Sequence, residues 1–457
     1  MTAPAHIFRE YDIRGIVGVD LDEVLAREVG RAYGTLLRKE LGRDDARVVV
    51  GRDNRPSSGS LGDALVRGLT EGGLEVLDLG IVPTPVVWWA EKTLETDGAL
   101  QLTGSHNPAE WNGIKMTRQG RSLWGRAIQE LRNVILDGSW EAGEGSVRSE
   151  PVLDRYVDDL RDRFELERPV RVVVDCGNGT GAVVAERLLR EIGADVVPLY
   201  CESDGTFPNH HPDPTVDENL ADLIDRVRAE GAELGIAFDG DADRIGAVDA
   251  RGGVIRGDVL LLLFGLDLLD RRGPNQLLIF DVKCSEVLPE VYEEAGGRTL
   301  MWMTGHSLIK EKMRETGAPL AGELSGHICF GGDEYIGADD ALYAACRLVE
   351  IVSRDRTPLH ERVSAFPQWV STPEIRIELE ESLKAGVVQR AVEHFGERYQ
   401  VNQVDGARIR FPEGWGLLRA SNTQPVLVAR FEARTPEALG EIQAEVEGWM
   451  REQGVDV

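Results

Sequence analysis

One unit recurs three times along this 457-residue chain, and it limits the fold more than any other feature. Residues 47–80 run "RVVVGRDNRPSSG", an amphipathic stretch, then "EGGLEVLDLG". Residues 171–200 run "RVVVDCGNGTG" and then "AVVAERLLREIGADVVPLY". Residues 277–304 run "LLIFDVKCSE" and then "VLPEVYEEAGGRTLMWMT". Each has an apolar β-branched run, a polar loop, a helix-period segment, a glycine stop and a second apolar run. That order predicts a strand–helix–strand crossover with parallel strands. The repeats lie too far apart for a solenoid, so they predict three related α/β domains.

Two stretches mark expected linkers: "EAGEGSVRSEP", ending at residue 151, and "VDARGGVIRGD", residues 248–258. After "AFPQWVSTPE" the pattern changes to alternating runs, "EIRIELE", "ARIRF" and "PVLVARFEAR", followed by a helical stretch. This predicts a smaller C-terminal α+β domain with an antiparallel sheet. The expected domains are 1–150, 151–252, 253–367 and 368–457.

A formal net charge of -28 argues against a nucleic-acid or anionic-membrane surface, since both favour basic patches. It leaves room for a small anionic substrate held by a local cluster of positive groups. The N-terminus has no apolar signal core. The longest apolar run, "VLLLLFGLDLL" at 259–269, is broken by Asp267 and reads as a buried helix. Cys176, Cys201, Cys284, Cys329 and Cys346 form no CxxC pair, which suits reduced, structural thiols. A cytoplasmic protein is expected.

Several short motifs carry possible chemistry. In "TGSHNPAEWNGIK" (103–115), Ser105 lacks the Gly-x-Ser-x-Gly frame of a hydrolase elbow, because Thr103 and Asn107 stand at the glycine positions. The strand-like "GALQL" before it puts Ser105 at a strand's end, where ligands collect in α/β sheets. From this loop alone, a capping serine is the better reading. In "FDGDADR" (238–244), Asp239, Asp241 and Asp243 alternate, and an extended segment would point all three carboxylates one way. Such a group repels unless a cation joins it, and an all-oxygen set suits Mg²⁺; a solvated acidic turn is the other reading. An EF-hand is excluded, because Arg244 and Ala250 stand where its glycine and glutamate belong.

"CGNGTGA" (176–182) is a loose dinucleotide fingerprint with Glu202 downstream, which raises an NAD(P)-dependent oxidoreductase as an alternative. Its two sister units lack the pattern, so packing glycines explain it better. "GELSGH" (322–327) offers Glu323, Ser325 and His327 to vicinal hydroxyls. "RASNTQP" (419–425) offers Arg419, Ser421, Asn422 and Thr423 to a phosphate. Each of these two fits a polar turn as well.

The order of the motifs, one per domain, is more specific than any one of them. From "FREYDIRG" (8–15) through "TGSHNP", "DGDADR" and "GELSGH" to "RASNTQPVLVARFEA", the chain resembles the α-D-phosphohexomutase superfamily over nearly its whole length. The resemblance implies three α/β domains and a fourth, TATA-binding-protein-like domain around a central cleft. It implies a phosphoserine at Ser105, which with Asp239, Asp241 and Asp243 holds Mg²⁺. Arg244 takes the family's phosphate-stabilising place. Glu323 and Ser325 would bind sugar hydroxyls with His327 nearby, while Arg419, Ser421, Asn422 and Thr423 hold the phosphate that is not reacting. Tyr11, Arg14, Lys115, Lys283 and His306 match positions lining the cleft. Arg14, Lys115, His306 and His327 all remain candidates for the general base.

The implied reaction interconverts hexose 1- and 6-phosphates, of mannose or glucose, through a 1,6-bisphosphate, with glucose 1,6-bisphosphate as activator. The partner is a small phosphosugar, and the expected assembly a monomer or homodimer. Leu324 stands where the mannose/glucose branch typically has methionine and the glucosamine branch glutamine, so phosphoglucosamine mutase is the alternative within the class. A Mg²⁺-dependent sugar phosphatase is the alternative outside it.

Overall fold

The computed structural model describes residues 3–421 and 425–457. Each recurring unit forms the crossover its pattern demands. Strand Arg47–Arg52 pairs in parallel with Glu75–Ile81, Arg171–Asp175 with Asp195–Leu199, and Leu277–Asp281 with Arg298–Trp302. The β-branched first strands are almost wholly buried, as strands covered on both faces must be.

The three sheets then repeat one further step. A third strand adds in parallel to the other edge of the first: Gly98–Leu102, Leu234–Phe238 and Leu320–Gly322. The chain turns back and pairs antiparallel as Trp111–Arg118, Ile245–Asp249 and Ile328–Phe330. All three sheets therefore share one strand order, antiparallel–third–first–second. The turn leaving the third strand carries residues 103–110 in the first domain, 239–244 in the second and 323–327 in the third. Those three turns hold the serine, the aspartates and the "GELSGH" residues.

The stretch 248–258, expected to be a linker, instead closes a β-hairpin. Val254–Ile255 pairs antiparallel with Ile245–Asp249, so the second sheet runs past the expected boundary at 252. The apolar run 259–269 lies in helix Gly257–Arg272, buried on most of its surface. Among the described residues, no helix is long and apolar enough to cross a membrane. The C-terminal sheet is antiparallel throughout and is covered by helices Glu381–Gly396 and Pro436–Glu452.

One apolar core runs through the first three domains, from Trp88 and Trp89 through Tyr156 and Phe264 to Tyr343. The fourth domain has its own core around Phe395, Phe431 and Trp449. At the centre of the shared core, Asp340 caps helix Ala341–Arg354 by accepting from Tyr343 N at 2.9 Å. The Tyr156 hydroxyl also donates to it. Burial pushes this carboxyl up to about 6 against those hydrogen bonds.

An ordinary unfolded aspartate titrates near 3.9, so over pH 4–6 the unfolded chain releases a proton that the folded chain keeps. Asp340 therefore lowers stability as pH rises through that window, by on the order of 3 kcal/mol, and has no further effect above it. In Asp340→Asn this contribution is absent. Thermal melts from pH 4 to 6.5 should show wild type losing stability relative to the variant; parallel curves would contradict the assignment.

Candidate active site

Ser105 sits at the carboxyl end of strand Gly98–Leu102, buried, with φ +50°. That is the left-handed region, uncommon for a residue with a Cβ, and it turns the side chain towards the second domain. Ser105 Oγ donates to Asp239 Oδ2 at 2.9 Å and lies 3.2 Å from His106 Nδ1. Burial, then Arg244 and Arg14, holds the His106 imidazole well below the usual histidine range, so it stays neutral.

Asp239, Asp241 and Asp243 are all buried, with one oxygen of each gathered within 4.8 Å of the others. The segment that carries them is not extended. It is a tight turn between two antiparallel strands, with Ala242 at φ +57°. The carboxylates converge because the chain reverses here, and not because alternate side chains share a strand face. The first domain supports this turn, since Thr84 Oγ1 donates to Asp241 Oδ2 at 2.5 Å and Thr84 N to Asp241 O at 2.9 Å. The glycines of "CGNGTGA" support it from below. A Cβ on Gly179 would come within 2.6 Å of Gly240 O, so that motif is a close-packing turn, not a nucleotide cradle.

Lys115 reaches across from strand Trp111–Arg118 and donates to Asp241 Oδ2 at 2.7 Å and Asp243 Oδ2 at 2.5 Å. Burial opposes its charge, but the two aspartates outweigh burial and hold the ammonium above the ordinary lysine range. Burial, then Asp241 and Asp243, pushes Asp239 well above the carboxylate range. Asp241 Oδ1 and Asp243 Oδ1 are buried and have no hydrogen-bond partner among the described residues. Two orphaned oxygens within a group of three buried carboxylates fit a divalent cation with a preference for oxygen ligands.

Arg14 donates to Asp12 Oδ2 at 2.5 Å and to Asn107 Oδ1 at 2.8 Å, which aligns it along the serine loop. Arg244, immediately after the aspartates, donates from Nε to His327 Nε2 at 2.9 Å. The rings of His327 and His306 stack with centroids 5.1 Å apart, and both Nδ1 atoms face Asp339 Oδ2, at 3.1 and 3.0 Å. Lys310 donates to the other oxygen of Asp339 at 2.8 Å. Burial and then Lys310 lower the His306 pKa, with Asp339 opposing them.

Asp339 was not among the expected site residues, although it orients two of them. In sequence it is one of two adjacent acids in "GADDAL". Nothing there separates it from Asp340, which faces the core.

In the third-domain turn, Glu323 Oε1 accepts from Gly305 N at 2.6 Å, and the Ser325 hydroxyl donates to Glu323 Oε2 at 2.9 Å. Tyr11 donates to Thr304 O at 2.9 Å, tying the N-terminal segment to the same place. Lys283 pairs with Glu374 at 3.2 Å. Arg419 donates to Asp405 Oδ2 at 2.9 Å, and that oxygen also accepts from Thr304 N at 3.0 Å. Arg419 is thus fixed beside the third-domain loop. Ser421 O accepts from Lys384 at 2.7 Å, while Asn422 and Thr423 lie outside the described residues.

Four family models cover this chain in succession. They are the three α/β/α domains of phosphoglucomutase/phosphomannomutase, at residues 5–141, 154–253 and 256–369, and the C-terminal domain at 374–448. The chain belongs to the α-D-phosphohexomutase family. As a phosphohexomutase it is an isomerase.

It is 48% identical to a phosphomannomutase/phosphoglucomutase of Pseudomonas aeruginosa, an alignment covering 97% of this chain and 95% of that one. It is 43% identical to a phosphoglucomutase of Neisseria gonorrhoeae, over 96% and 95%. Its fold matches a solved phosphoglucomutase/phosphomannomutase family protein of Burkholderia thailandensis with a TM-score of 0.92 at 41% identity, over 100% and 99% of the two chains.

Proposed function

We propose that this phosphohexomutase interconverts the 1- and 6-phosphates of mannose and glucose, with Ser105 as the carrier of the phosphoryl group. The observation that carries the reading is the placement of Ser105 Oγ. A buried serine points from one domain into a carboxylate cluster on another, 2.9 Å from Asp239, beside an engaged lysine and two arginines. No serine capping its own loop needs that setting.

Phosphoserine 105 gives its phosphoryl group to the 6-hydroxyl of a hexose 1-phosphate. The bond from Ser105 Oγ to phosphorus breaks as the bond from O6 forms, and the hydroxyl proton passes to a base. The resulting 1,6-bisphosphate turns over within the site, and Ser105 Oγ takes the phosphoryl group as the bond from O1 to phosphorus breaks and O1 regains a proton. Asp239, Asp241 and Asp243, together with an oxygen of the phosphoserine, would hold Mg²⁺, which supplies charge neutralisation at the transferring group. Arg14 and Arg244 are placed to neutralise the equatorial oxygens. Glucose 1,6-bisphosphate reloads a serine that has lost its phosphate.

Among the candidates for the base, Lys115 is committed as an ammonium between two aspartates, and Arg14 is engaged with Asp12 and Asn107. His327 accepts from Arg244 at Nε2, which places its own proton on Nδ1 towards Asp339. His306 also faces Asp339 through Nδ1, leaving Nε2 as its acceptor, and its lowered pKa keeps it neutral. His306 is therefore the base we assign. Glu323 and Ser325 bind sugar hydroxyls, with Lys283 and Tyr11 alongside. Arg419 and Ser421, with Asn422 and Thr423, grip the phosphate that is not reacting.

Intact-protein mass before and after incubation with glucose 1,6-bisphosphate tests the assignment. One added phosphoryl group, mapped to Ser105, is expected. Release of free phosphate in step with substrate loss, without isomer formed, would instead make the chain a phosphatase.

A further inference from the structure

Arg55 is the most fully engaged side chain near Ser105, and no step of the transfer uses it. Its side chain has no exposed surface. Nε donates to Asp53 Oδ2 at 3.0 Å. Nη1 donates to Pro108 O at 2.5 Å and to Trp111 O at 3.2 Å. Nη2 donates to Ser105 O at 2.7 Å and to Asn107 O at 2.6 Å. Three carbonyl oxygens of the serine loop, and that of Trp111 where the next strand begins, thus point inward at one guanidinium. Without a cation those dipoles would face one another in a space closed to water. A planar fork of five N–H groups fits this arrangement, and an ammonium with three rotating donors does not.

The surroundings are built around the same group. A Cβ on Gly104 would come within 2.5 Å of Arg55 Nε and Cζ. Asp53 Oδ2 also accepts from Gly104 N at 3.0 Å, so the Asp53–Arg55 pair holds the loop at its start as well. From the second domain, the Phe207 ring lies 4.9 Å from the guanidinium, and a Cβ on Gly205 would come within 2.5 Å of Arg55 Cα. On the far side of the Ser105 carbonyl stands Gly240, where a Cβ would come within 2.3 Å of that oxygen. Ser105 O is held between a cation of its own domain and the aspartate turn of the next. A non-glycine residue at φ +50° persists only where its neighbours over-determine it, and these neighbours do.

We propose that Arg55 is the positioning residue that sets Ser105 in its left-handed conformation, with Oγ aimed at the aspartate cluster. This rests on the reading of Ser105 as the phosphoryl carrier. Arg55 acts through the backbone of the loop and touches no substrate. A displacement of about 1 Å at a reacting atom costs on the order of 10²-fold in rate.

In Arg55→Lys and Arg55→Ala, kcat and the rate of Ser105 phosphorylation by glucose 1,6-bisphosphate are both expected to fall roughly 10- to 100-fold. KM for mannose 1-phosphate should stay within about threefold of wild type, because the sugar and distal phosphate are gripped elsewhere. Free guanidinium should restore part of the lost kcat in Arg55→Ala and leave wild type unchanged. Should Arg55→Ala fail to fold, Arg55→Lys and Gly104→Ala, which crowds the guanidinium, carry the same expectation. A wild-type chain that takes up the phosphoryl group beside an Arg55→Lys variant of equal kcat overturns the proposal. So does a loss of kcat and KM together with a fallen melting temperature in every variant, which would make Arg55 merely structural. If wild type takes up no phosphoryl group, the carrier reading falls, and this assignment falls with it.

Discussion

Ser105→Ala is expected to lower turnover of mannose 1-phosphate and glucose 1-phosphate by at least about 10⁴-fold, the scale seen when a covalent nucleophile is removed. Alanine keeps the Cβ and therefore the same backbone demand at φ +50°, so the loop has no new reason to move. The change removes one hydroxyl, which donates to Asp239 at 2.9 Å, and Asp239 keeps its bonds from Asp243 N and Arg244 N. The fold should survive, with a melting temperature close to wild type. Coupled assays for glucose 6-phosphate and mannose 6-phosphate, run with glucose 1,6-bisphosphate present, check the rate. Activity within tenfold of wild type would remove Ser105 from the chemistry and leave it a structural hydroxyl.

Much of this architecture is readable before any coordinates. The three crossovers follow from Val48–Val50, Val172–Val174 and Leu277–Phe280, runs whose β-branched and apolar side chains suit strands buried on both faces. What the pattern conceals is the antiparallel return hairpin in each sheet, above all in the third. Leu320–Gly322 and Ile328–Phe330 span three residues each, too few to display any period. Yet that hairpin makes the three functional turns equivalent and gathers them into one site.

The aspartates do come together, but through a geometry other than the expected one. Their spacing announces a cation site, whereas the turn at Ala242 brings them together. Arg55 and Asp339 are invisible for another reason. In "GRDNRP" and "GADDAL" each looks like an ordinary loop charge. Their importance lies in partners 50 residues away for Arg55 and 33 for Asp339, so only the folded chain reveals it.

Lys115 gives the second large expected effect, because it is the cation that the aspartate turn already possesses. It comes from the first domain and closes two contacts on the second, so removing it strips charge compensation and an interdomain tie together. Breaking a buried ion pair from one side costs about 3–5 kcal/mol, since the abandoned charges stay desolvated. In Lys115→Met the methylene packing is nearly kept, and Asp241 and Asp243 lose the ammonium that pairs with them. Stability without added metal should therefore fall by that amount. MgCl₂ should restore more of it in the variant than it adds to wild type, because a divalent cation binds a more negative site more tightly. A ligand that binds only the folded state stabilises by about 2.7 kcal/mol at a hundredfold excess over its Kd, enough to recover most of the loss. Turnover should remain low even so, since the ion restores the charge but not the lysine's reach from the serine domain. Thermal melts of both proteins with EDTA and with MgCl₂ decide the matter. Equal gains from Mg²⁺ in variant and wild type would show that the cation binds away from Asp241 and Asp243. The two buried oxygens without partners would then need another explanation.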